Sequence, residues 1–331
     1  MSPAAPAAQA EPTVCGFLLF DGFSNMVLAS AVEPLRAANA LSGRRLFEHV
    51  LLTVDGRSAL SSSRIAIAPD ATAATAPPLD ALFVVAGYDA RTFAVPPVLS
   101  ALRRLARRTP VLAGLDVGAW LLAAAGLLAG RRATVHWQEL DNFAEAFPTV
   151  TVLPDRTVLD GDRMSAGGAT TVMELMLRLV RERGGEALAF GVTNMFVYDV
   201  APAGRDGRRG GLSLPFARRA PQLERAIAEM RRTAAAPLPL ARIADAAATS
   251  LRTLERLFSR ELGVSPAKYY QMVRLGIARS LVEETALSAA EIATRTGFAS
   301  TATLSRAFSG HFGTSIRAVR KGRLATQRER R

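Results

Sequence analysis

The chain has 331 residues, of which 49% are hydrophobic and 21% charged, so it is long and apolar enough for two folded domains, each with its own core. The formal charge of +12 is unevenly placed: residues 1–200 hold 17 Lys and Arg against 19 Asp and Glu, and residues 201–331 hold 24 against 10. A near-neutral first part joined to a strongly basic second part argues for a polyanion partner, nucleic acid before membrane, because no amphipathic membrane-binding stretch accompanies the charge.

Residues 1–12 are rich in Ala and Pro, lack a basic start and a continuous apolar run, and read as a disordered leader rather than a secretory signal. From Val14 onward short apolar runs alternate with amphipathic stretches, the pattern of a parallel sheet covered by helices. Residues 14–20 form the first predicted strand. It contains Cys15, the only cysteine, which excludes an intramolecular disulfide or a thiolate metal cluster and fits a reducing cytoplasm. Residues 25–41 place Met26, Leu28, Ala29, Val32, Leu35 and Ala38 near one helix face, and residues 47–54 and 81–86 read as buried strands. A helix over 97–108 follows.

Residues 110–130 are the most membrane-like stretch, but Asp116 and the glycines at 114, 118, 126 and 130 divide it. A strand over 111–115, a turn at Asp116-Val117-Gly118 and a helix over 119–128 explain it better than a span. Such a junction is where open α/β sheets place ligand or catalytic groups. Residues 164–168 and helices over 169–183 and 186–196 close this domain. Residues 199–211, DVAPAGRDGRRGG, read as a flexible linker. Beyond it the pattern is helical throughout, with helices predicted over 221–233, 240–247, 251–262, 266–284, 289–296 and 301–312 and a short one from Arg317.

Two stretches of this region have the layout of a helix-turn-helix, a short helix, a tight turn and a second helix with a polar outer face. In the first, Leu240, Ile243 and Ala244 form an apolar stripe, Thr249-Ser250 supplies turn and cap, and Leu251, Leu254, Leu257, Phe258 and Leu262 bury one face of the next helix. Its other face carries Arg252, Thr253, Glu255, Arg256, Ser259 and Arg260. In the second, Ile292 and Ala293 precede Gly297-Phe298, Ser300 caps, and Leu304, Phe308 and Phe312 bury a helix that shows Thr301, Ala302, Ser305 and Arg306. The joining helix would be about 28 Å long, near the roughly 34 Å of one DNA turn, so both outer helices could enter successive major grooves.

Arg256-Leu257-Phe258, Gly263-Val264-Ser265-Pro266, Tyr269, Arg274, Ala278, Leu281, Ile292-Ala293, Gly297-Phe298, Ser300, Arg306-Ala307-Phe308 and Phe312-Gly313-Thr314-Ser315 together resemble the AraC/XylS DNA-binding domain. Ile316 and Val319 stand where that family has Pro and Tyr. The resemblance implies base-edge contacts from Arg252, Glu255 and Arg256 in the first unit and from Thr301, Ala302 and Arg306 in the second. Arg can grip guanine bidentately and Glu can accept from cytosine, although an exposed Arg can equally be a solvated helix face or a phosphate contact. The short Thr301 and Ala302 suit methyl contacts or shape reading.

Residues 14–198 resemble the DJ-1/PfpI, class I glutamine amidotransferase-like fold, on Gly22-Phe23-Ser24, Glu33-Pro34-Leu35-Arg36, Gly114-Leu115-Asp116-Val117-Gly118-Ala119-Trp120, Arg132-Ala133-Thr134-Val135-His136-Trp137 and Ser165-Ala166-Gly167-Gly168. This pairing of domains is that of the GlxA-like subgroup of AraC-type regulators. Enzymes of the fold carry a nucleophilic Cys on the turn where this chain has Asp116, and Val27 stands about where they have a partner acid. The resemblance therefore implies a domain without catalysis.

Asp116 either caps the following helix or faces a cationic ligand group. Trp120 reads as pocket wall or helix core, and His136, beside Trp137, as a pocket hydrogen-bond partner or a strand-end histidine. A carboxylate with an aromatic wall suits an ammonium ligand. Regulators similar to this one that carry Asp at the elbow control catabolism of amino acids and of quaternary amines such as glycine betaine or carnitine. The three histidines, His49, His136 and His311, have no metal-ligand spacing, and no cofactor is expected.

The expected architecture is a flavodoxin-like α/β domain over 13–198, a linker over 199–215, an all-α DNA-binding domain over 216–325 and a basic tail over 326–331. The expected function is a cytoplasmic, homodimeric transcription regulator, an activator that engages RNA polymerase, binding promoter DNA and an amine or amino-acid-like inducer held by Asp116, Val117, Trp120, His136 and Trp137. A cysteine-independent hydrolase or amidase fused to a DNA-binding domain is the alternative.

Overall fold

The computed structural model describes residues 11–196 and 221–321, so most of the expected leader and all of the expected linker and basic tail lie outside the described residues. The chain divides into two compact units, residues 1–37 with 45–180, and residues 38–44 with 181–331.

The first unit is built on a seven-stranded sheet. Its strands are β1 (Thr13–Leu19), β2 (Phe47–Thr53), β3 (Ala71–Thr72), β4 (Ala81–Ala86), β5 (Val111–Asp116), β6 (Thr157–Asp160) and β7 (Arg163–Ala166). Their order is β6-β7-β5-β4-β1-β2-β3, parallel throughout except for the β6/β7 hairpin. All six residues of β4 are buried, as a strand covered on both faces requires. Phe17 of β1 and Phe83 of β4 are register partners, and their rings stack at 4.9 Å. Around the sheet lie α1 (Asn25–Ser42), α2 (Pro96–Ala106), α3 (Gly118–Ala124), α4 (Leu140–Ala146) and α5 (Ala169–Gly184).

Two elements depart from the sequence reading. The helix expected to reach residue 128 stops at Ala124, because Gly126 takes a φ of +77° and its N–H turns back to the Ala123 carbonyl. The hairpin strand β6 was not expected. Its register pairs Asp160 with Arg163 across a tight turn at Gly161, whose φ is +64°.

The second unit is helical: α6 (Glu186–Met195), α7 (Pro221–Arg232), α8 (Leu240–Ala246), α9 (Leu251–Leu262), α10 (Pro266–Glu284), α11 (Ala289–Arg295) and α12 (Thr301–Phe312). The sequence reading gave residues 186–196 to the α/β domain. Instead, Ala187 of α6 joins the core of Leu223, Ile227, Ile243, Leu254, Phe258 and Tyr269, with the Phe190 ring 6.0 Å from Tyr269. Periodicity showed an apolar face on this helix but not which core it would cover.

The long helix α10 serves two cores. Tyr269 and Tyr270 lie in the first, and Leu275, Ala278 and Val282 pack with Ile292, Leu304, Phe308 and Phe312 in the second. Midway, Arg274 donates from Nε to the Thr296 carbonyl and from Nη2 to the Gly297 carbonyl, both at 2.7 Å, while its guanidinium lies 4.1 Å from the Phe298 ring centre. This clamps the turn between α11 and α12 onto the joining helix.

Candidate functional site

In the first unit the loops after β1, β4, β5 and β7 meet at the carboxyl ends of the strands. The chain leaves β1 toward β2 on one side and resumes as β4 on the other, which is the switch point where open α/β sheets leave a crevice. The crevice here is a cavity of about 580 Å³. Gly22, Ser24 and Val27 line it from the first loop and helix, Gly87 to Thr92 from the second, Asp116 and Val117 from the third, and Gly168 and Ala169 from the fourth. Ser62, His136, Gln138 and Glu139 complete it.

The elbow at Asp116 has a φ of +61°, a left-handed conformation that costs an L-residue roughly 1 kcal/mol and that Asp tolerates better than most. Three features hold it. The Val117 N–H donates to the Ala86 carbonyl at 2.9 Å, and the His136 N–H donates to the Asp116 carbonyl at 3.1 Å. Gly118 lies so close to β4 that a Cβ would sit 1.9 Å from the Val84 carbonyl oxygen, so no other residue fits there.

Asp116 is 9% exposed, and burial pushes its carboxyl up to about 7. Among the described residues no hydrogen bond or ion pair engages its side chain. Burial also holds His136 below its usual pKa, against the raising effect of Glu139, and its Nδ1 accepts from the Gln138 N–H at 3.4 Å. Acidic groups outnumber basic ones in the lining, which holds Asp89, Asp116 and Glu139 and one guanidinium, that of Arg91.

The expected aromatic wall is absent, which corrects the placement of two candidate residues. Trp120 is 8% exposed and packs into the core, 5.1 Å from Phe147 and 5.8 Å from Phe143, while Trp137 is 71% exposed; neither lines the cavity. The reason is α4, an element not legible in the sequence, which supplies Phe143 and draws Trp120 inward. Tyr88 is the aromatic residue that does line the cavity. Its segment, Gly87 to Thr92, escaped the sequence reading, although its position directly after a buried strand was a usable signal.

A reactive thiol has no place in this site. Cys15 is fully buried on β1, where desolvation and the nearby Asp80 push its thiol up to about 12, leaving it protonated. Among the described residues no group of three His, Cys, Asp or Glu could hold a metal ion, and no helix is long and apolar enough to cross a membrane.

The second unit presents two helix-turn-helix arrangements. In the first, Ser250 Oγ accepts from the Thr253 N–H at 3.2 Å to start α9, and Gly263, with a φ of +64°, ends it. In the second, Ser300 Oγ accepts from the Thr303 N–H at 3.1 Å to start α12, and Gly313, with a φ of +65°, ends it. The repeat continues past each helix. Ser265 caps α10 through the Lys268 N–H at 3.3 Å, and Ser315 accepts from the Ala318 N–H at 3.1 Å to cap the helical residues 316–321. Ile316, in place of the usual Pro, is 7% exposed and belongs to the second core, against which Val319 also packs.

Leu254, Leu257, Phe258 and Leu262 are buried, which turns Arg252, Glu255 and Arg256 to solvent on one face of α9. Leu304, Phe308 and Phe312 do the same in α12 and leave Thr301, Ala302 and Arg306 exposed. Among the described residues Arg252, Arg256 and Arg306 make no ion pair, whereas Arg260 is tied to Glu261 at 2.5 Å. Free guanidinium groups on an exposed helix preceded by a tight turn are what major-groove reading needs.

Comparison with known proteins accounts for both units. Residues 15–182 match the DJ-1/PfpI family, and residues 243–322 match a helix-turn-helix domain. The chain is 36% identical to the HTH-type transcriptional regulator GbdR of Pseudomonas aeruginosa, over 97% of this chain and 88% of that one. It is 34% identical to the HTH-type transcriptional regulator GlxA of Rhizobium meliloti, over 92% of this chain and 95% of that one. A crystal structure of an AraC family transcriptional regulator from Pseudomonas putida, 32% identical, covers 56% of this chain and 100% of its own with a TM-score of 0.51.

Proposed function

Because the chain belongs to the AraC-type transcriptional regulators that carry a DJ-1/PfpI domain, and so is a DNA-binding regulator, we propose that its first unit is a sensor for a small amine or amino-acid-like ligand. One observation carries this: an unpaired carboxyl group, Asp116, sits at the strained elbow of an acidic cavity where related enzymes need a thiol. An ammonium group brought to that carboxylate gains a charge partner in a partly dry site, and an unligated Asp116 meets the cost of burial by taking up a proton. The ligand then shifts the population of DNA-bound arrangements, as any ligand with unequal affinity for two states must. Activation through RNA polymerase, action as a homodimer and a cytoplasmic setting complete the proposal.

The test is Asp116→Asn in the full-length protein. Affinity for promoter DNA should stay within about twofold, while the thermal shift caused by the amine selected from a screen of amino acids and N-methylated amines disappears. A hydrolase or amidase that used Asp116 as an acid would instead lose turnover, and a retained thermal shift would refute the sensor reading at this residue.

A further inference from the structure

Arg91 is the exception in an otherwise acidic cavity. It leaves the short helical turn Ala90–Phe93 directly after β4, and its guanidinium lies 4.3 Å from the centre of the Trp120 ring. That ring also packs against Phe143 and Phe147. With its central carbon over the ring, the guanidinium keeps its N–H groups for hydrogen bonding. One of them is taken by the protein itself: Arg91 Nη2 donates to Glu139 Oε2, and both side chains line the cavity. Glu139 comes from the turn Trp137–Glu139, just after His136, whose N–H is bonded to the Asp116 carbonyl. One cavity thus holds an unpaired carboxyl group and, from a separate loop, a guanidinium seated over an aromatic ring and already carrying a carboxylate.

We propose that Arg91 receives the anionic end of the ligand and that Glu139 occupies this subsite in its absence, so that the pair selects ligands with a carboxylate as well as an ammonium group. This rests on the reading of Asp116 as the partner of the cationic end. The side chains of Arg91 and Glu139 are 46% and 28% exposed, so their ion pair is weak and an incoming carboxylate displaces Glu139 reversibly. Arg91 can meet that carboxylate with two parallel N–H bonds, the geometry that separates guanidinium from a simple point charge. Glu139 then acts as an internal competitor. It lowers affinity for zwitterions and leaves amines without a carboxylate unaffected.

Calorimetric titration of the full-length protein at about pH 8, where Asp116 is ionised, uses matched pairs: L-arginine and agmatine, glycine betaine and tetramethylammonium, 4-aminobutyrate and butylamine. In the pair that binds, the carboxylate-bearing member should be at least about tenfold tighter. Glu139→Gln should tighten that member a further about threefold or more and leave its partner within about twofold. Arg91→Gln should abolish the preference, and Arg91→Lys should restore part of it. The circular-dichroism spectrum and thermal midpoint of each unligated variant report its fold. Equal affinities within every pair, unchanged by either substitution, would overturn the role of Arg91 and Glu139 while leaving Asp116 as the cation's partner. Binding that survives Asp116→Asn, or no binding of any pair, would overturn the sensor reading and this proposal with it.

Discussion

Asp116 combines a left-handed backbone, burial and an unpaired carboxyl group, and these have a consequence for pH. Its carboxyl titrates at about 7 in the folded protein against 3.8 as a free group. Between those values the folded state binds the extra proton. The stability contributed by this group is therefore full below 3.8 and is lost as pH rises through about 7. The difference amounts to at most about 4 kcal/mol, since one pKa unit corresponds to about 1.4. Asp116→Asn, which carries no charge at any pH, should show no such loss. Thermal midpoints of the two proteins between pH 5 and 8.5 should diverge in favour of the variant as pH rises; parallel curves would place the titration elsewhere. A cationic ligand favours the ionised carboxylate, so its affinity should rise with pH and level off above about 7. At this scale Asp116 was legible as the replacement of a nucleophile. Arg91 and Glu139 were not, because nothing in their local sequence indicates that two loops about fifty residues apart meet at one cavity.

The two outer helices, α9 and α12, share their caps and glycine stops and differ in what they expose. α9 presents Arg252, Glu255 and Arg256, while α12 presents Thr301 and Ala302 with Arg306 as its one long cationic group beside them. Arg256→Ala should weaken specific DNA binding by about 1–3 kcal/mol and relax base choice at its position in a footprint. Arg306→Ala should cost affinity with a smaller change in base preference, because shape reading spreads its energy over the deformed duplex. A footprint unchanged by Arg256→Ala would remove that residue from base reading. All seven of the second unit's helices were legible to within a residue at each end, and α9, α10 and α12, each started by a serine cap, to the residue. α4 was not. Its cap, Glu139, makes no side-chain capping bond, so no local signal marks its start.

For the molecule as a whole, the basic charge lies in the part that carries both helix-turn-helix units, so DNA affinity should depend steeply on salt. A domain that touches roughly six to ten phosphates loses about 10³- to 10⁵-fold in affinity between 50 and 200 mM salt. A plot of log affinity against log salt should be linear, and its slope should fall by about one for each phosphate-contacting arginine removed. A flat plot would argue that the charge serves another partner.

By itself the sequence determined the two domain classes, the alternation of strand and helix, the paired helix-turn-helix pattern and the loss of the thiol at the elbow. The first three are written in short-range spacing: a period of two or of 3.6, a cap three residues from its acceptor, a glycine at a stop; the lost thiol is what the resemblance to the DJ-1/PfpI enzymes implies. Only the tertiary structure decided that Arg91 and Glu139 join Asp116 at the cavity, that Trp120 belongs to the core, that α6 joins the helical unit and that Arg274 clamps the second turn. Each of these depends on a partner distant in the chain: Phe143 for Trp120, Tyr269 for Phe190, Thr296 and Gly297 for Arg274, Glu139 for Arg91. A side chain's periodicity says that it must be covered, and packing alone selects what covers it.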